Sequence, residues 1–353
     1  MQRFSRRPGL IFFAVALGIG GPWPASACQI CIPFPKKSTA DFLIEAEAVV
    51  LAREDPERPF HFAPVETLKG DPGDEKIDLF LDSTTRRVLA AYPDRSIVLA
   101  RRTDGDKNQW RRIGTADADL SPIVKDVLAA SAAWEKEPEQ RIEFFARRLG
   151  HDNPQVRTLA HLEIARAPYD EIRNCNAVLS PEEIRAFLNN MRYAEWHSLY
   201  ILLLAQSEDS ADRDLIRDSF ASTARFNLSL RLAAWATALI EIQEEEGVAE
   251  IEERYFRNAT RKPEELQAVL QALSVHGTNG HTHLRDRIVA AYGTLLENHP
   301  SMALLVVHDL TAWKRTNFGK EIAEYLAEKP QDLDFRTTLQ LRAYVRSANG
   351  NSQ

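Results

Sequence analysis

Six side chains stand out for the chemistry they could support: the three cysteines, Cys28, Cys31 and Cys175, and a histidine run at His276, His281 and His283. Cys28-Gln29-Ile30-Cys31 has the spacing of a redox dithiol. That chemistry works best where a helix N-terminus lowers the first thiol's pKa. Here Ile32-Pro33-Phe34-Pro35 follows, and two prolines in three residues do not open a regular helix well, so a structural disulfide is the preferred reading. An odd cysteine count leaves one thiol over, and the residues do not choose among three pairings: Cys28 with Cys31, Cys31 with Cys175, or Cys28 with Cys175. A structural zinc needs about four ligands, and two cysteines with no nearby histidine supply half of that. The run His276-Gly277-Thr278-Asn279-Gly280-His281-Thr282-His283 puts imidazoles on what reads as a glycine-rich inter-helix loop, with Gly277 as the C-cap of the helix before it. Three imidazoles could converge on a metal. No carboxylate lies within the run, however, so a solvated loop without a metal is expected. His161 and His197 fall within expected helices as packing or capping groups. Nucleophile-elbow, phosphate-loop and dinucleotide fingerprints are all missing, so neither an enzyme nor a cofactor is expected.

The cysteines matter because the chain reads as exported, into a compartment where disulfides persist. Residues 1–27 have the pattern of a signal peptide: Arg3, Arg6 and Arg7, an apolar run from Leu10 to Ile19, then helix-breaking Gly20, Gly21, Pro22 and Pro24, and Ala25-Ser26-Ala27 before Cys28. An apolar run of ten residues is short of the roughly 20 needed to span a bilayer, so cleavage between Ala27 and Cys28 is expected rather than an anchor helix. Ser5-Arg6-Arg7-Pro8-Gly9-Leu10 resembles a twin-arginine export signal, with Gly9 where that pattern prefers phenylalanine. A lipid on Cys28 is the alternative fate of the N-terminus, though Ala25 stands where a lipoprotein signal prefers leucine. The expected location is periplasmic or extracellular, with no later transmembrane helix. The net charge of −7 becomes −10 once the leader, with three arginines and no acid, is removed. Such a chain repels phosphate backbones, and nucleic acid is not expected as a partner.

The 353 residues suggest a multidomain α+β chain. Residues 28–118 look β-rich, with short apolar runs at Phe42–Ala52, Phe60–Leu68, Ser96–Ala100 and Gln109–Ile113, and turns at Lys69–Asp74 and Asp104–Asp106. Ile77, Leu79 and Leu81 alternate with Asp78, Phe80 and Asp82, which predicts another strand. About five short strands predict a small barrel or sandwich.

Cys28-Gln29-Ile30-Cys31-Ile32-Pro33, Ala40-Asp41-Phe42-Leu43-Ile44-Glu45-Ala46-Glu47-Ala48-Val49 and Phe62-Ala63-Pro64-Val65-Glu66-Thr67-Leu68-Lys69-Gly70 together resemble the start of netrin-like domains, whose familiar members are the tissue inhibitors of metalloproteinases. The resemblance implies an OB-type barrel. It also implies, as one alternative function, metalloprotease inhibition through the free amino group and carbonyl of a mature N-terminal Cys28. The family spaces its first cysteines one residue closer and ties them to later barrel cysteines, whereas none stands here between Cys31 and Cys175.

From Ser121 onward the apolar period becomes helical, and residues 119–348 read as all-α, before a disordered tail at 349–353. Ser180-Pro181-Glu182-Glu183 is an N-cap, a proline at N1 and a capping box, followed by Ile184, Phe187, Leu188 and Met191 on one stripe. Pro263 opens another helix, with Leu266, Val269, Leu270 and Leu273 in register, and Leu228–Ile240 is apolar nearly all round and so expected to be buried on both sides. Leu149-Gly150-His151-Asp152-Asn153-Pro154-Gln155-Val156-Arg157 resembles the turn and second helix of HEAT repeats. That resemblance implies an α-solenoid with a groove for a protein or peptide. The expected function is therefore an exported protein-binding scaffold. A second alternative is thiol-redox or metal chemistry at Cys28/Cys31 or at His276/His281/His283.

Overall fold

Local capping chemistry sets the first element. In the computed structural model, which describes residues 30, 37–73, 76–104, 107–177, 179–328 and 333–350, Ser38 Oγ accepts from the Asp41 amide and Asp41 accepts from the Ser38 amide. This capping box opens helix α1, Thr39–Glu45. The expected strand at Phe42–Ala52 is thereby split: its first part turns in α1, and extended backbone begins at β1, Ala48–Asp55. A tight turn leads to β2, Arg58–Lys69; helix α2, Ser83–Ala91, precedes β3, Ser96–Asp104, and β4, Lys107–Ala116. The sheet is antiparallel throughout in the order β2-β1-β3-β4. Gly70 ends β2 at φ +63°, where an added Cβ would lie 1.8 Å from the Glu47 carbonyl oxygen, so only glycine fits this turn.

The sheet is open, which corrects the expected closed barrel. A barrel needs its outer strands to pair, and β2 and β4 are both edges. The proline at position 64 suits β2 to an edge, since it has no N–H to give a further neighbour. The segment expected as an additional strand, residues 77–82, makes one isolated bridge, His61 to Phe80, and no ladder. Its alternation has another cause. Ile77 and Leu81 are buried against Ala48, Val50, Phe62 and Leu99, while Phe80 stays outside and stacks on Phe60. The segment thus covers one face of the sheet. The opposite face, Val49, Leu51, Val98 and Ala100, packs under α1 and α3, Leu120–Trp134. The central strand β1 is covered on both sides, which is why Ala48–Ala52 is continuously apolar.

The remainder is helical: α4, Pro138–Ala146; α5, Pro154–Ala165; α6, Tyr169–Arg173; α7, Pro181–Leu188; α8, His197–Leu204; α9, Ser210–Phe226; α10, Leu232–Gln243; α11, Glu245–Ile251; α12, Pro263–Asn279; α13, Arg285–Asn298; α14, Ala303–Ala312; α15, Gly319–Glu328; α16, Phe335–Gly350. Two starts are as the sequence predicts. Asn153 caps α5 by accepting from the Gln155 and Val156 amides, with Pro154 at N1. Ser180 and Glu183 form the capping box of α7. In α10 the buried residues Leu232, Ala234, Ala236, Thr237, Ala238, Leu239 and Ile240 surround the axis, as an all-round apolar helix requires. Leu228 and Leu230 are exceptions to that expectation: α9 runs on to a left-handed Asn227, α10 starts only at Leu232, and both leucines are exposed.

Packing follows a regular order. α6 packs on α8, α8 on α10, α10 on α12, α12 on α14 and α14 on α16, while α11 packs on α13. Sequential neighbours α7 and α8, α9 and α10, and α15 and α16 also pack together. One core runs from the sheet through α8 and takes Ala234 and Ala238 of α10; a second takes Leu232, Ala236, Leu239 and Ile240 of the same helix and runs on to α16. The helix α10 is shared by both.

Gly277 is not the end of α12. The helix continues to Asn279, because the missing side chain makes room for the Trp313 ring: a Cβ on Gly277 would lie 2.2 Å from Trp313 Cζ2. Trp313 is itself stacked on Tyr292 and cannot easily yield. Alanine normally favours a helix interior over glycine by about 1 kcal/mol. Gly277→Ala is nevertheless expected to destabilise by about 1–3 kcal/mol through overpacking. A urea-unfolding midpoint equal to or above that of the parent would refute this.

A buried histidine and glutamate cluster as the candidate site

Three helix ends meet where α10 stops. Glu241 interrupts the apolar run of α10 and is nearly buried. Its Oε1 accepts from Arg173 Nε at 2.9 Å and its Oε2 from the Tyr169 hydroxyl at 2.9 Å, both from α6. Burial alone would raise the Glu241 pKa. The approach of His281 and the positive charge about it, Arg173 included, outweigh burial and hold the carboxyl down at about 2. It is therefore an anion at any physiological pH.

His276 enters from the last turns of α12 and is fully buried. Its Nε2 lies 2.9 Å from the Thr237 carbonyl on α10. A carbonyl only accepts, so Nε2 carries the proton and the neutral ring presents a lone pair at Nδ1. Burial pushes the pKa of His276 down to about 4, which keeps the ring neutral. Nδ1 is buried and has no hydrogen-bond partner. Residue 280 is glycine beside it: a Cβ there would sit 2.7 Å from Nδ1.

His281 follows, and its ring stacks on His276 with centroids 5.4 Å apart. Its Nε2 lies 3.4 Å from Glu241 Oε2, without the alignment of a hydrogen bond. One ligand atom each from Glu241, His276 and His281 lie within 4.8 Å of one another, and Glu244, His281 and His283 form a second such group that shares His281. Glu244 adopts φ +51°, ψ −118°, a conformation rare for a residue with a side chain; it ends α10 and lies 3.2 Å from His283 Nε2 through its Oε2.

Of the residues singled out in sequence, His276, His281 and His283 are thus brought together, though not on a solvated loop. His276 is a core residue of α12, and His283 alone of the three is largely exposed. The two carboxylates that complete the groups lie some 30–40 positions earlier in the chain and were not anticipated; Glu244 reads in sequence as a solvated helix end. The usable signal was Glu241 itself, an acid within an otherwise apolar helix. Cys28 and Cys31, their disulfide pairings, the lipid on Cys28 and cleavage after Ala27 all fall outside the described residues. Cys175 is buried beside the Glu171 carbonyl, and burial pushes its thiol pKa up to about 12, which makes it a poor nucleophile. His161 and His197 are buried within the helical packing. Among the described residues no helix is long and apolar enough to cross a membrane.

The fold is α+β, with a small open antiparallel sheet near the N-terminus followed by many helices. No protein-family model, curated protein or solved structure matches the chain.

Proposed function

We propose that the protein is an exported, HEAT-like helical-repeat scaffold that binds a protein or peptide segment. The observation that carries this reading is the packing of every second helix on the next, from α6 through α16. Helix pairs that bury their faces against neighbours in this order build an extended surface, the usual device of repeat proteins that receive a partner. The export pattern at residues 1–27 and the acidic balance fit an envelope protein partner better than nucleic acid. The turn between α9 and α10 is the strongest candidate contact. Phe226, Leu228 and Leu230 leave three large apolar side chains exposed within five residues, a concentration that marks interaction surfaces more often than bare solvent.

The test is crosslinking and pull-down from envelope extract with the full chain and with Phe226→Asp/Leu230→Asp. The parent should recover one partner in stoichiometric amount. The variant, unfolding at the same temperature because these residues lie outside both cores, should lose it. Recovery of nothing above background by the parent ends the scaffold reading; an undiminished partner on the variant moves the contact elsewhere.

A further inference from the structure

We propose that Glu241, His276 and His281 form a binding site for one divalent transition-metal ion of the zinc class, with Glu244 and His283 as its solvent-facing entry. The inference is independent of the scaffold reading. It rests on the fit between the donor set and what such an ion requires.

Two imidazoles and one carboxylate are a common zinc donor set, leaving a fourth position for water or a guest group. Tetrahedral ligands about 2.0–2.1 Å from zinc lie roughly 3.4 Å from one another. Glu241 Oε2 and His281 Nε2 already stand at 3.4 Å, and the third donor lies within 4.8 Å of both. Histidines that hold metals usually donate their other ring N–H to a carbonyl or carboxylate, which fixes the tautomer and the ring. The Thr237 carbonyl does this for His276. Arg173 holds Oε1 of Glu241 and the Tyr169 hydroxyl takes one lone pair of Oε2, which leaves the second lone pair of Oε2, the oxygen nearest His281, for an ion.

The strongest sign of a missing partner is the Nδ1 of His276. Nδ1 belongs to a fully buried ring and has no hydrogen-bond partner, and a buried polar atom left unsatisfied is costly in any protein. The Nε2 of His281 is buried and unpartnered beside it. Two unpartnered ring nitrogens and one carboxylate oxygen gathered beside Gly280 are what an ion would satisfy at once, with Nε2 of His281 giving up any proton it carries. Access is from the side of His283 and Glu244, both more than half exposed, through His281, which belongs to both groups.

The experiment uses the untagged full-length chain, stripped with chelator and titrated with Zn2+ by calorimetry and with Co2+ by visible absorption. One equivalent of each should bind, and Co2+ should show the intense d–d bands of a four-coordinate site. Partners that merely orient a ligand are worth about 10–100-fold in affinity. His281→Ala and Glu241→Gln should therefore each weaken Zn2+ binding by more than about 100-fold, and His283→Ala/Glu244→Gln by less than about 10-fold. Cys28→Ser/Cys31→Ser should change nothing. The His281→Ala chain keeps the test decisive if Glu241→Gln fails to fold, because His281 sits at the edge of the cluster. Failure of the parent to bind a stoichiometric ion overturns the proposal and leaves a polar network. So does undiminished binding by His281→Ala. A loss confined to His283→Ala/Glu244→Gln overturns the assignment of the inner group. None of these outcomes bears on whether the helices recruit a protein partner.

Discussion

Arg141→Ala is expected to destabilise the chain by about 3–5 kcal/mol at neutral pH, because it strands a buried carboxylate. Arg141 on α4 reaches Glu163 of α5 at 2.8 Å and Asp41 of α1 at 2.6 Å. Arg166 closes the network on Asp41 at 2.7 Å but stands 3.8 Å from Glu163. Glu163 is nearly buried, and burial keeps its pKa above the ordinary value even with Arg141 beside it. Asp41, although burial pushes it up, is held below its ordinary value by the Ser38 amide and by the two arginines. Without Arg141, Glu163 must stay charged with only the more distant Arg166 beside it or take up a proton, and Asp41 loses half of its cationic support. The pH dependence has a definite sign. A carboxyl whose folded pKa is raised further binds its proton more tightly folded than unfolded, so the penalty grows as pH rises past about 4.5 and shrinks below it. The stabilisation lost at Asp41 is likewise present only above its unfolded pKa near 3.8. Both terms make the penalty smaller at pH 4 than at pH 7. Urea unfolding at the two pH values checks this, and Arg141→Ala/Glu163→Gln should recover part of the loss by removing the stranded charge. A penalty under about 1 kcal/mol at pH 7 would class the network with surface ion pairs.

This network also shows what could and could not be read beforehand. Helix starts at Asn153-Pro154 and Ser180-Pro181 were legible because capping is chemistry within four residues. Ser38 and Asp41 carry the same signal, but the apolar stretch beyond them invites a strand assignment, so α1 was missed. The alternation at residues 77–82 was real, and it describes a segment laid over a sheet as well as one paired into it; only the tertiary register tells the two apart. Gly277 looks like a helix end by composition, and its role is set by Trp313, 36 positions away. The candidate site was half legible for the same reason. Three histidines stand together in the sequence, whereas the carboxylates meet them only because α12 packs on α10.

A second buried imidazole, outside that cluster, makes an acid-labile element. His161, on α5, is fully buried; its Nδ1–H donates to the Arg157 carbonyl at 2.6 Å and its Nε2 accepts from the Tyr200 hydroxyl at 2.6 Å, with the ring packed on Trp196. Both nitrogens are satisfied in the neutral form. Burial, aided by the charge of Arg157, pushes the pKa from 6.5 down to about 4. Between these values the unfolded chain takes up a proton that the folded chain refuses. Stability from this group is therefore complete above about pH 6.5, falls as pH drops, and is exhausted near pH 4. At about 1.4 kcal/mol per pKa unit the loss is about 3 kcal/mol. His161→Gln should be less stable than the parent by about 1–3 kcal/mol at pH 7, where a hydrogen bond and packing are lost. The parent alone loses this His161 contribution on acidification, so the two unfolding curves should converge or cross by pH 4. Every other titrating group is common to both chains and cancels in the difference. A gap between parent and variant that stays constant from pH 7 to pH 4 would mean that His161 is charged inside the fold, with Tyr200 no longer its donor.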